Sequence, residues 1–334
     1  MLFKPLFRLG LTALISLVLP ACGGSTGSHI VPGVASPPIS PTPTGQQRDL
    51  LYVSNQNGTV NVYRYWQQKL ATVLTKFKQP SGQCSDQSGN VFITDYQAKK
   101  VYEYAHGGSK PIATLDTSPY TPRGCAVSPA TGDLAIADYG TRDYSYYGDG
   151  NIAIYRHASG TPTFYGGGDD NHFPSVAYDD RGDLLALSES GYSGHWYYYA
   201  TFFYLPKKGL QLLRIDVPCE YSSSCYWQYA TAVAWDGKYW VIEQYRLYLY
   251  SINVKVKYVG EVDLTASYRG IGPVAFYPKT SKGRATQVVA AINNYNGKSA
   301  VDYWKYPAGG SPIAQVTQGL DNASGVAISL WSNP

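Results

Sequence analysis

Charge is scarce in this chain. Asp, Glu, Lys and Arg make up 15% of its 334 residues, and a single methionine stands against 32 tyrosines. That balance suits half-exposed strands and is unlike a disordered chain or a helical bundle. Neither sign of charge dominates. Without Lys4 and Arg8, which belong to a segment expected to be cleaved, 25 basic residues face 23 acidic ones, a net of +2. No electrostatic footprint for nucleic acid is present, and no nucleic-acid partner is expected. The apolar run Leu9 to Leu19 is too short to span a bilayer. Nucleophile elbow, phosphate-binding loop and zinc-ligand spacing are all missing.

What the chain does hold is a repeat. A three-residue lead-in recurs as Gln83-Cys84-Ser85, Cys125-Ala126-Val127, Val176-Ala177-Tyr178, Val233-Ala234-Trp235, Val274-Ala275-Phe276 and Val326-Ala327-Ile328, with spacings of 42, 51, 57, 41 and 52 residues. Each is followed by an apolar strand, such as Val91 to Asp95 or Leu134 to Asp138, and then by a third, such as Val101 to Tyr104 or Ile152 to Tyr155. Gly89-Asn90 and Gly107-Gly108 stand where tight hairpins need positive φ. A period of roughly 40 to 50 residues with four short strands each is that of propeller blades. The fold class is therefore all-β, a six-bladed β-propeller over residues 49–334. The strand at Leu51 lacks a lead-in and the lead-in at Val326 lacks a sequel. The two ends are expected to close one blade together, one strand from the C-terminal side and three from the N-terminal side.

Ahead of the repeat, residues 1–21 join a basic start (Lys4, Arg8) to an apolar core and small residues before a cysteine, the plan of a secretory signal. Leu19-Pro20-Ala21-Cys22 resembles a bacterial lipobox. The resemblance implies lipidation of Cys22, a membrane partner through that lipid, and a place in the bacterial cell envelope. Gly23 in place of Asp implies, by likeness to Gram-negative lipoproteins, sorting to the outer membrane. Residues 22–48, rich in Pro, Gly, Ser and Thr, read as the lipidated cysteine and a tether holding the domain on the order of 30 Å or more from the lipid.

The runs Pro80-Ser81-Gly82 through Asp86, Gly89-Asn90-Val91-Phe92-Ile93-Thr94-Asp95 and Lys100-Val101-Tyr102-Glu103-Tyr104 resemble the repeat of NHL and SMP-30-type six-bladed propellers. They also resemble lipid-anchored propellers of environmental bacteria. The resemblance speaks for fold more than for activity, since propellers host many functions. SMP-30 relatives use a metal near the axis to hydrolyse lactones, which implies an enzyme alternative here.

Four cysteines remain after Cys22, and an oxidising envelope favours pairing. Cys84 and Cys125 lie on neighbouring lead-ins shifted by one position, so their side chains point toward each other and a bridge between blades is expected. The alternative is two buried free thiols. Cys219 and Cys225 enclose five residues of a polar loop, where a local bridge is expected.

Two groups of residues could carry function. Long insertions fall at Tyr139 to Gly150, Gly166 to Phe173, Ser190 to Tyr199 and Val217 to Tyr229, in loops that gather on one face of a propeller. They offer Tyr146, Tyr147, Trp196, Tyr198, Tyr226 and Trp227 as stacking platforms, with Asp143, Asp170 and His195 as polar partners, for a glycan or an envelope protein. The alternative is that these aromatics pack on one another to order the loops. The second group is one polar residue at the end of each second strand, among them Asp95, Asp138, Glu189 and Glu243, a candidate ring for Ca²⁺. The simpler reading, which we favour, is that these side chains cap the turns that follow them. A binding module is thus expected, with a metal-dependent hydrolase or lyase, or an envelope assembly scaffold, as alternatives.

Overall fold

The computed structural model describes residues 48–141, 149–166, 172–191, 198–218, 230–244, 246–253, 255–266, 271–277, 285–293 and 298–332. The segments expected to be signal and tether, with Cys22, lie outside these, as do Cys219 and Cys225. Among the described residues twenty-four strands form six four-stranded antiparallel sheets. The first comprises β1 (Leu50–Asn55), β2 (Thr59–Arg64) and β3 (Lys69–Leu74). The second runs β4 (Pro80–Ser85), β5 (Val91–Asp95), β6 (Lys100–Tyr104) and β7 (Pro111–Asp116), and the third β8 (Pro122–Val127), β9 (Leu134–Asp138), β10 (Asn151–Tyr155) and β11 (Thr163–Gly166). The fourth holds β12 (His172–Tyr178), β13 (Leu184–Gly191), β14 (Tyr198–Leu205) and β15 (Leu213–Ile215), and the fifth β16 (Ala232–Trp235), β17 (Trp240–Glu243), β18 (Leu247–Ile252) and β19 (Val256–Val262). The sixth is β20 (Ile271–Tyr277), β21 (Gln287–Asn293), β22 (Ser299–Lys305) and β23 (Ala314–Val316). One strand remains, β24 (Ala323–Ser329), and it pairs with β1 to complete the first sheet. This is the one-plus-three closure expected from the repeat, in a six-bladed β-propeller.

The strand patterns follow from where each strand stands in its blade. Second strands are covered on both faces by neighbouring blades, so they are apolar along most of their length, with polar residues toward the end. In β5, Val91 and Ile93 pack toward the first blade and Phe92 toward the third, and all five residues are buried. At the rim the pattern thins, and β7 is exposed at five of its six positions. The core is accordingly divided into six apolar clusters, one in each seam between adjacent blades.

At the axis the inner strands approach so closely that side chains are excluded. A Cβ on Gly82 would lie 2.3 Å from the carbonyl oxygen of Arg123, and one on Gly325 would lie 2.2 Å from that of Ser81. Where the fourth blade carries Ser175 instead, its hydroxyl accepts a hydrogen bond of 3.1 Å from the Val233 amide of the fifth. Cys84 and Cys125 form the inter-blade disulfide, with Cα atoms 5.6 Å apart. Among the described residues no helix is long and apolar enough to cross a membrane.

Candidate functional site

Both the start of every inner strand and the end of every second strand lie at one end of the ring, as the pairings Pro80 with Asp95, Pro122 with Asp138 and His172 with Glu189 show. The residues flanking the four long insertions lie at this same end. Thr141 and Asp149 close the base of one of them, the Asp149 carboxylate accepting the Thr141 amide at 2.6 Å and its hydroxyl at 2.5 Å. Asp143, Tyr146, Tyr147, Asp170, His195, Trp196, Tyr226 and Trp227 lie outside the described residues. Tyr198 opens β14, its backbone opposite Gly191.

The four carboxylates suggested as a metal ring are not brought together. Side-chain direction alternates along a strand, so one position decides which seam a residue enters. Asp95 has the parity of Val91 and Ile93 and faces the first blade. There it accepts the backbone amides of Lys78, Gln79 and Ala98 at 2.8, 3.0 and 3.1 Å, which is turn capping. Asp138 faces the second blade with Leu134 and Ile136. Glu243 has the parity of Val241 and faces the sixth. Glu189 stands at the mouth of the central channel. Among the described residues no group of three His, Cys, Asp or Glu side chains is placed to hold a metal.

Asp138 and Glu243 differ from Asp95 in having neither carboxylate oxygen hydrogen-bonded, at 1% and 0% exposure. Burial pushes both well above the usual carboxylate range, and for Glu243 the nearby Thr231 side chain offsets only part of this. The amide oxygen of Asn151, directly across the ladder from Asp138, is likewise unpartnered. A carboxyl with a raised folded-state pKa contributes its stability below the unfolded value, about 3.9 for Asp, and loses it as pH rises through the folded value. Asp138→Asn removes that loss. The variant should melt above the parent at neutral pH and equal it near pH 4, about the unfolded carboxyl value, in thermal scans without divalent cations. If the carboxylate instead held Ca²⁺, the order at neutral pH would reverse when calcium is added.

The inner strands enclose an axial channel of about 780 Å³. Its mouth is built by Ser81, Arg123, Tyr139, Glu189, Thr231 and Ser324. Tyr139 continues the β8–β9 ladder, its amide donating to Thr121 at 2.9 Å. The Arg123 guanidinium lies over two rings, 4.5 Å from the centroid of Tyr96 and 4.9 Å from that of Tyr139. His172 stacks on Tyr139 at 4.2 Å between centroids, and its Nδ1 meets the Tyr139 carbonyl. The Tyr139 hydroxyl donates to Glu189 at 3.4 Å. Burial pushes the Glu189 carboxyl up, while Arg123, His172 and the Tyr139 hydroxyl hold it back.

Tyr96 and Tyr139 stand just beyond the last residues of their second strands, Asp95 and Asp138, whereas Glu189, one place after Ser188, is still within its strand and pairs with His172 and Ala200. Arg123 precedes the inner-strand residue Gly124, at a position filled in the other blades by Ser81, Pro174, Thr231, Gly272 and Ser324. Sequence reasoning passed over it, although it is the charged member of an otherwise neutral repeat column. What the arrangement offers is a fixed cation beside a carboxylate and aromatic faces.

The protein is thus a six-bladed β-propeller with an open axial channel. No family model matches the chain, and no curated protein matches it in sequence. Solved structures share the fold at low identity. A chain of a nidogen–laminin complex superposes with a TM-score of 0.60 at 10% identity, covering 85% of this chain and 100% of that one. A Bacteroides caccae protein of unknown function gives 0.57 at 11%, covering 84% and 98%. A chain of Kuenenia stuttgartiensis hydrazine synthase gives 0.55 at 16%, covering 78% and 81%.

Proposed function

We propose that the protein is a lipid-anchored envelope propeller of the NHL or SMP-30 kind that works as a binding module, taking a glycan or protein ligand on its insertion-bearing face. The observation that carries the reading is the convergence of the residues flanking all four long insertions on one end of the ring, around the channel mouth. Those insertions carry Tyr and Trp, which bind with large flat area at low entropic cost. Lipidation at Cys22 and the tether to residue 48 would hold this face off the membrane. The test is Trp196→Ala with Trp227→Ala, assayed on glycan arrays and in envelope-protein pulldowns beside thermal melts. Ligand lost at an unchanged melting temperature is the expected result. A fallen melting temperature with capture unchanged would assign the aromatics to loop packing and sink the reading.

A further inference from the structure

The Arg123 side chain is half-buried at the channel mouth, yet its guanidinium makes no hydrogen bond or ion pair to a described residue. Contact with the Tyr96 and Tyr139 rings fixes the group through its flat face and leaves in-plane N–H donors unused. Among the described residues the other charged group at the mouth is Glu189, close enough for Arg123 to hold its carboxyl down but beyond ion-pair distance. Among the described lining residues Arg123 is the sole Lys or Arg of the whole channel. A donor fork and an acceptor therefore face the same opening without meeting.

We infer that Arg123 and Glu189 form a binding site for a small carboxylate that carries a hydrogen-bond donor, hydroxyl or ammonium, on the carbon next to the carboxyl group. The guanidinium fork matches a carboxylate in two parallel bonds, and Glu189 accepts from the adjacent donor. Tyr139 bridges the two halves, packing on the cation and donating to Glu189. The charge balance selects a singly charged carboxylate over a phosphate dianion, which Glu189 would repel. A channel of about 780 Å³ lies within the size range of small-ligand sites. The site is built from Arg123, Tyr139 and Glu189 and calls on neither Trp196 nor Trp227, so its test and the test of the proposed function fail separately.

The experiment is calorimetric titration of the full chain in detergent with lactate, alanine, propionate, lactamide and inorganic phosphate. Lactate or alanine should bind more tightly than propionate, which lacks the donor, and than lactamide, which lacks the charge. Whichever of the two is tighter identifies the donor as hydroxyl or ammonium. Arg123→Gln should weaken binding about 10- to 100-fold, the span of a charged hydrogen-bonding partner. Glu189→Gln should erase the preference over propionate while leaving carboxylate binding. Arg123→Lys, which keeps the charge without the fork, should also bind more weakly and serves if the glutamine variant fails to fold. The inference is overturned if no probe binds, if propionate or phosphate binds as well as lactate and alanine, or if folded Arg123 variants keep the parent affinity.

Discussion

Removal of residues 322–334 should abolish cooperative folding of the whole ring. The lost strand β24 pairs with β1 from Leu50–Ser329 to Asn55–Ala323 and buries Ala323, Val326, Ala327 and Ile328. It also ties the first blade to the second. Ser85 donates to the Ile328 carbonyl at 2.8 Å, Ser324 donates to the Pro80 carbonyl at 2.9 Å, and Ser329 meets both His106, at 2.7 Å, and the Gly89 carbonyl at 2.5 Å. Beyond the strand, the Trp331 amide donates to Asp49 at 2.8 Å, and the Arg48 guanidinium lies 4.9 Å from the Trp331 ring centroid. Each large apolar side chain exposed costs about 1.5–3 kcal/mol, and β1, buried at all six positions, would become an open edge. Net stability of a domain is about 5–15 kcal/mol, so these losses together rival all of it. Near-UV circular dichroism and limited proteolysis check this. A truncated chain that still melts in one sharp transition would mean that the five complete blades suffice.

Reduction of the Cys84–Cys125 bridge, or the double change to serine, should cost about 4 kcal/mol, because an unfolded chain freed of a loop of this length gains that much entropy. The two cysteines are 41 residues apart, and the loop between them contains the whole outer part of the second blade. The native state should keep its shape, since Cys84 and Cys125 already pack in the seam with Phe92, Leu134 and Ile136. The loss should therefore show in urea titrations as a lower midpoint, with a slope at least as steep as the parent's because the unfolded chain without the bridge is less compact. A loss below about 1 kcal/mol would mean that the unfolded chain is not appreciably constrained by the bridge.

The second strands made the fold legible. Val91 to Asp95 and Leu134 to Asp138 are apolar on both faces because each is enclosed by two blades, and the structure keeps those boundaries. Outer strands such as β15 and β23 have three residues each and sit at the rim, where little burial writes a pattern. The cysteine pairing was readable because a one-position shift between repeats reverses side-chain direction. The same rule scattered the carboxylates. Glu243 aligns with Thr94 and not with Asp95, since Val233 pairs with Ile242 as Gln83 pairs with Ile93. Arg123, Tyr139 and Glu189 come from two blades and meet only once the ring has formed, so no local motif announces them.

The clasp has a consequence for biosynthesis. Ser324 bonds the Ser54 carbonyl, 270 residues earlier in the chain. The first blade to leave the ribosome is thus the last to be finished, and β1 waits with one edge bare while five complete sheets follow it. Any chain stopped short of β24, wherever the stop falls, displays that same unpaired edge. The ring in this way inspects its own completeness, and proteases or chaperones that read exposed strand edges receive one common signal for every unfinished copy.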